Sequence, residues 1–191
     1  MTKPVSSENS EQLAWQAMET GAYDEAVRLL EPLAHRNSEW ALLSLGWIYE
    51  TGVTAPPDKD AALSLYARAA SLGSAAGCFD LGRVHLKRGD EGSARSAFRA
   101  GVERGDLPSM AELGSMLLEG RGGPSNAEEG WNLLERAAAQ GHIFAQRTLL
   151  AIEEDNAQSI AEKLSVKLKI LRLALKGGRE MWRNSYSDRM R

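Results

Sequence analysis

Few residues of this 191-residue chain could do chemistry. It holds three histidines, His35, His85 and His142, and one cysteine, Cys78. No two of these histidines have the spacing that puts two metal ligands on one helix face, and no metal is expected. His85 follows Leu81-Gly82 at helical spacing and reads as a packing residue, while His142 directly follows a glycine and reads as a turn residue. Cys78 stands three residues before Leu81 and reads as a small buried apolar side chain. With no helix start or basic neighbour close in sequence, nothing there would activate its thiol. A lone cysteine also excludes an internal disulfide. Gly120-Arg-Gly-Gly-Pro124 has the glycines of a phosphate loop, but no strand pattern precedes it and no Gly-Lys-Ser/Thr follows. The acidic residues are dispersed. No constellation meets the demands of a catalytic site, so the chain reads as non-enzymatic and without a cofactor.

The elements that would position any site are helices in a repeat. Asn37, Gly73, Gly105, Gly141 and Gly177 recur at intervals of 36, 32, 36 and 36 residues. Each suits a left-handed helix exit, where a positive φ costs glycine, and to a lesser degree asparagine, little. Five units follow: 6–37, 38–73, 74–105, 106–141 and 142–177. The longer units carry their extra residues in the loop between their two helices, at Thr51–Asp58 and Gly120–Asn126. Apolar spacing is helical, as in Ala62, Leu65, Tyr66, Ala69 and Ala70. The expected fold is all-α, a right-handed α-solenoid of about five helix-turn-helix repeats with an atypical basic C-terminal helix. A flexible N-terminus (1–7) would precede a single repeat domain (8–177), and a basic tail (178–191) would follow and could cap it.

Ala41, Leu45, Gly46, Tyr49, Gly52, Asp58, Ala62, Tyr66, Ala69, Ala70 and Gly73 form a phrase that resembles the Sel-like repeat family, relatives of the tetratricopeptide repeats. Leu113, Gly114, Gly120, Ala137, Ala138 and Gly141 repeat it. The resemblance spans roughly residues 8–177. It implies a scaffold or adaptor that binds another protein on a concave face lined by the first helix of each unit. By that implication the contact residues are Trp15, Trp40, Leu43, Trp47, Phe79 and Arg83, an aromatic patch beside a cation. Glu50, Leu86 and Lys87 fall at inward positions of the same face. Against this stands the alternative that the tryptophans seal the N-terminal end of the stack.

Residues 1–158 carry 23 acidic side chains against 14 Lys and Arg, whereas residues 159–191 carry nine Lys and Arg against three acidic. Within the basic part, Leu164, Leu168, Leu171 and Leu175 share a helix face flanked by Lys167 and Arg172. A fold-back cap, a second copy or partner helix, and an anionic membrane compete for that face, the membrane being the less favoured. The acidic body argues against nucleic acid. No stretch is long and apolar enough to span a membrane, and no leader is visible, so the expected location is cytoplasmic. The alternative function is a regulatory subunit attached through the basic segment to a membrane surface or an enzyme, which the family resemblance associates with bacterial envelope or polysaccharide assembly.

Overall fold

Helix follows helix in the computed structural model, which describes residues 7–156 together with Ser165 and Leu168. The helices are α1 (Ser7–Thr20), α2 (Tyr23–His35), α3 (Glu39–Thr51), α4 (Lys59–Ser71), α5 (Ala75–Lys87), α6 (Glu91–Glu103), α7 (Leu107–Glu119), α8 (Ala127–Ala139) and α9 (Ile143–Asn156). No strand occurs among the described residues. Each odd-numbered helix opens a repeat, and α9 is the first helix of the fifth. The described residues are thus all helical and form helix-turn-helix units.

Local chemistry sets the helix boundaries. Asp58, Ser74, Asp90 and Asn126 precede helices and accept hydrogen bonds from the backbone of the first turn. Asp106 does the same for Ser109 N at 2.7 Å. Each such cap satisfies a donor that the helix leaves open. At the other end, Asn37, Gly73, Gly105 and Gly141 have φ of 64°, 95°, 78° and 90°, as their spacing predicts. The two long loops return to equivalent points. Asp58 N donates to Tyr49 O at 2.8 Å, and Asn126 N donates to Leu117 O at 2.9 Å.

The chain divides into two compact units, Met1–Ser109 and Met110–Arg191. In the first, α1 to α6 pack in succession. Its core gathers Ala14, Leu30, Leu42, Leu45 and Ile48, and beside it Ala62, Tyr66 and Val84. Small residues let the helices approach. A Cβ on Gly46 would lie 2.5 Å from the Tyr66 ring, and one on Gly82 would lie 2.6 Å from the Phe98 ring. In the second unit, a Cβ on Gly130 of α8 would sit 2.8 Å from Gly114 O of α7. Leu134 and Ala145 are fully buried there.

Gly92 differs from these glycines. It lies in the first turn of α6, and an added Cβ would meet only Asp90 Oδ1, at 3.9 Å. Gly92→Ala is expected to raise stability by about 0.5 kcal/mol, because it restricts the unfolded chain without a clash. The shift of the urea midpoint at constant m-value measures it.

Cys78 is buried, and that burial pushes its thiol pKa up. One expectation about it needs correction: α5 starts at Ala75, so a helix start does lie close to it. Desolvation outweighs that proximity, and the side chain packs as an apolar residue. His142 accepts a hydrogen bond from Ala145 N through Nδ1 at 3.3 Å, which makes it an N-terminal cap of α9.

Candidate functional site

Two places in the first unit bring the predicted site residues into focus. The first is an open cleft of about 440 Å³ lined by Glu11, Gln12 and Trp15 of α1 with Ser38 and Trp40 at the start of α3. Trp15 is 52% exposed. Trp40 is half-buried, with part of its ring against the N-terminal core. Helical spacing explains the α1 wall, since Glu11 and Trp15 stand four residues apart on one face. Ala14 and Ala17 meanwhile face the core.

The second is a polar cluster centred on Glu50, whose residue is only 8% exposed. Its Oε2 accepts hydrogen bonds from Tyr66 Oη at 3.1 Å and Arg83 Nη2 at 2.7 Å, and its Oε1 accepts from Lys87 Nζ at 2.5 Å. Arg83 also reaches Asp80 Oδ1 at 3.4 Å. Three consecutive helices supply the set: α3 gives the carboxylate, α4 the phenol, and α5 the two cations and Asp80. Burial pushes the Glu50 carboxyl up, but the hydrogen bonds and positive charges of Lys87 and Arg83 outweigh it and hold the group below the usual carboxylate range. Burial, reinforced by Asp80 and Glu50, pushes the Tyr66 phenol well up, so it remains a donor. Burial raises Asp80 despite Arg83.

The remaining predicted residues have different surroundings. Trp47 shares its repeat position with Trp15 yet has other surroundings: its ring lies 5.6 Å from Tyr23, tilted by 57°. It is 38% exposed. Leu43 is half-buried and packs between the two apolar clusters of the unit. Phe79 is also half-buried, 5.9 Å from the Phe98 ring. The Arg83 guanidinium is paired with Glu50 and Asp80. Glu50, an inward position in the sequence, is turned into the protein. The sequence signal for the cluster was present in its register, a glutamate followed 33 and 37 residues later by Arg83 and Lys87 on the next first helix.

Of the basic-segment face, Leu168 is helical and 49% exposed. Leu164, Leu171, Leu175, Lys167, Arg172 and the tail 178–191 lie outside the described residues. Among the described residues, no group of three or more His, Cys, Asp or Glu could hold a metal ion. No helix among them is long and apolar enough to cross a membrane.

Comparison with known proteins agrees with the helix-turn-helix repeats. The Sel1 repeat model matches residues 41–74 and 107–142, the two units with long loops. An F-box protein of Arabidopsis thaliana is 34% identical over 98 residues, which is 51% of this chain and 27% of that protein. The chain therefore spans about a quarter of that relative's length. Among solved structures, a Sel1 repeat protein from Oxalobacter formigenes superposes with a TM-score of 0.69 at 24% identity, covering 80% of this chain and 64% of that one. A protective antigen of uropathogenic Escherichia coli with an SLR fold gives 0.71 at 22% identity, over 91% and 39% of the two chains. MamA gives 0.61 at 18% identity, over 87% and 96%. At these identities the structural likeness speaks to the fold alone.

Proposed function

We propose that this chain, an all-α protein of Sel1-type, tetratricopeptide-like repeats, is a non-enzymatic scaffold or adaptor that holds another protein on the first-helix face of its N-terminal repeats. The repeat family supports a general protein-interaction role. The observation that carries the choice of face is the Trp15–Trp40 cleft, because a large aromatic left half in water beside a concavity is the residue type that anchors interfaces. Trp47, exposed further along α3, extends the same reading. The alternative in which these tryptophans close the end of the core fits Trp40 in part, but it leaves the exposure of Trp15 without a purpose.

Arg83 is engaged with Glu50 and Asp80. An Arg83→Glu substitution would set like charges beside Glu50 and would report on the fold. The clean variant is Trp15→Ala, since that side chain is half in solvent. Protein from the source cell retained by the wild-type chain is expected to bind the variant about 30-fold more weakly, the scale of an aromatic anchor. The melting temperature should stay within a few degrees. Equal retention by wild type and variant, with the fold intact, contradicts the assignment of the face.

A further inference from the structure

We propose that the Trp15–Trp40 cleft takes the guanidinium or ammonium of an arginine or lysine side chain carried on an exposed segment of the partner protein. This rests on reading the cleft as a partner surface, and it adds the chemistry of what enters. Two indoles and one carboxylate, Glu11, line the cleft with the neutral polar groups of Gln12 and Ser38. Indole faces attract cations through their negative quadrupole, more strongly than phenol or phenyl rings do. A carboxylate at the same wall adds direct charge attraction.

Charge around the cleft points the same way. Residues 7–51 carry eight acidic residues and two arginines. Helix α1 itself has Glu8, Glu11 and Glu19 and no basic residue. The two carboxylates of the first three helices that reach across to later helices are spent elsewhere: Glu50 on Arg83 and Lys87, and Glu39 on the Ser74 hydroxyl at 2.6 Å. Among the described residues, no cation pairs with Glu11. A cleft of about 440 Å³ is large enough for a long basic side chain and the backbone on either side of it.

The test uses the full chain labelled with nitrogen-15 at tryptophan, with the indole signals assigned by single Trp→Phe variants. Three blocked heptapeptides are titrated in: one with a central arginine and lysine in a Gly/Ser background, one with leucines at those places, and one with glutamates. The expected result is saturable movement of the Trp15 and Trp40 signals with the basic peptide and a still Trp131 signal. Affinity should fall about two- to fivefold in Glu11→Gln, the range of a surface charge pair, and fall with added salt. Larger or equal movement with the leucine peptide overturns the cation assignment while leaving the cleft a docking surface. No movement of either signal with any peptide up to millimolar concentration overturns it too. Movement that appears on concentrating the protein alone places a second copy in the cleft and also overturns it.

Discussion

Glu50→Ala is expected to cost about 2–3 kcal/mol of stability at neutral pH, more than removal of any exposed charge in the protein. The carboxylate satisfies the Tyr66 hydroxyl, Arg83 and Lys87 together. Its loss leaves a buried phenol without its acceptor, Lys87 without its counter-charge and Arg83 with Asp80 alone. Breaking a fully buried ion pair costs roughly 3–5 kcal/mol. The Arg83 and Lys87 side chains are 33% and 49% exposed, so water recovers part of that cost. Urea denaturation reads the difference.

The same residue shapes the acid limb of the stability profile. Its folded pKa lies below its unfolded value, so ionisation of Glu50 favours the folded state. That contribution is complete above the ordinary carboxylate range and disappears as pH falls through the lowered folded pKa. Asp80 acts in the opposite sense, since its raised pKa makes its charged form a cost that protonation relieves. Glu50→Gln is therefore expected to flatten the fall of stability between about pH 5 and pH 3. A variant profile as steep as that of the wild type would show that Glu50 is not the group responsible.

Gly77→Ala is the second large effect, a loss of about 2–3 kcal/mol in the same assay. An added Cβ there would sit 2.8 Å from Ala70 N and 2.8 Å from Ala69 Cβ on α4. Its obstacle includes backbone, which cannot rotate aside as a side chain can. The intrinsic gain of at most about 1 kcal/mol for replacing a helical glycine is overcome. Gly46→Ala meets the Tyr66 ring at 2.5 Å instead, and that ring is buried with its hydroxyl held by Glu50, so its loss should be of similar size.

These two cases mark how far the sequence could be read. The period, the helix pairs and the exits at Asn37, Gly73, Gly105 and Gly141 are local properties, written in residue type and spacing, and the structure has them in place. Gly46, Gly82 and Gly114 belong to the Leu-Gly phrase, and the structure makes them close-approach positions. Gly77 lies outside that phrase, and only the path of α4 across it reveals its role. The pairing of Glu50 with Arg83 and Lys87 follows from one repeat lying on the next. Register put all three on one face. Register does not say whether a carboxylate there turns to solvent or inward, because that depends on the Tyr66 hydroxyl arriving from a different helix. Trp15 and Trp47 were equivalent by repeat position and differ in the structure because α2 brings Tyr23 against Trp47. Trp15, on the first helix, belongs instead to a cleft with Trp40.

The face on which a partner touches the chain is open to direct test. A photo-reactive phenylalanine analogue placed at residue 15, and separately at exposed Ser64 on second helix α4, tests this inside the source cell. The account predicts a discrete cross-linked protein from position 15 and none from position 64. Adducts from position 64 with none from position 15 would contradict it.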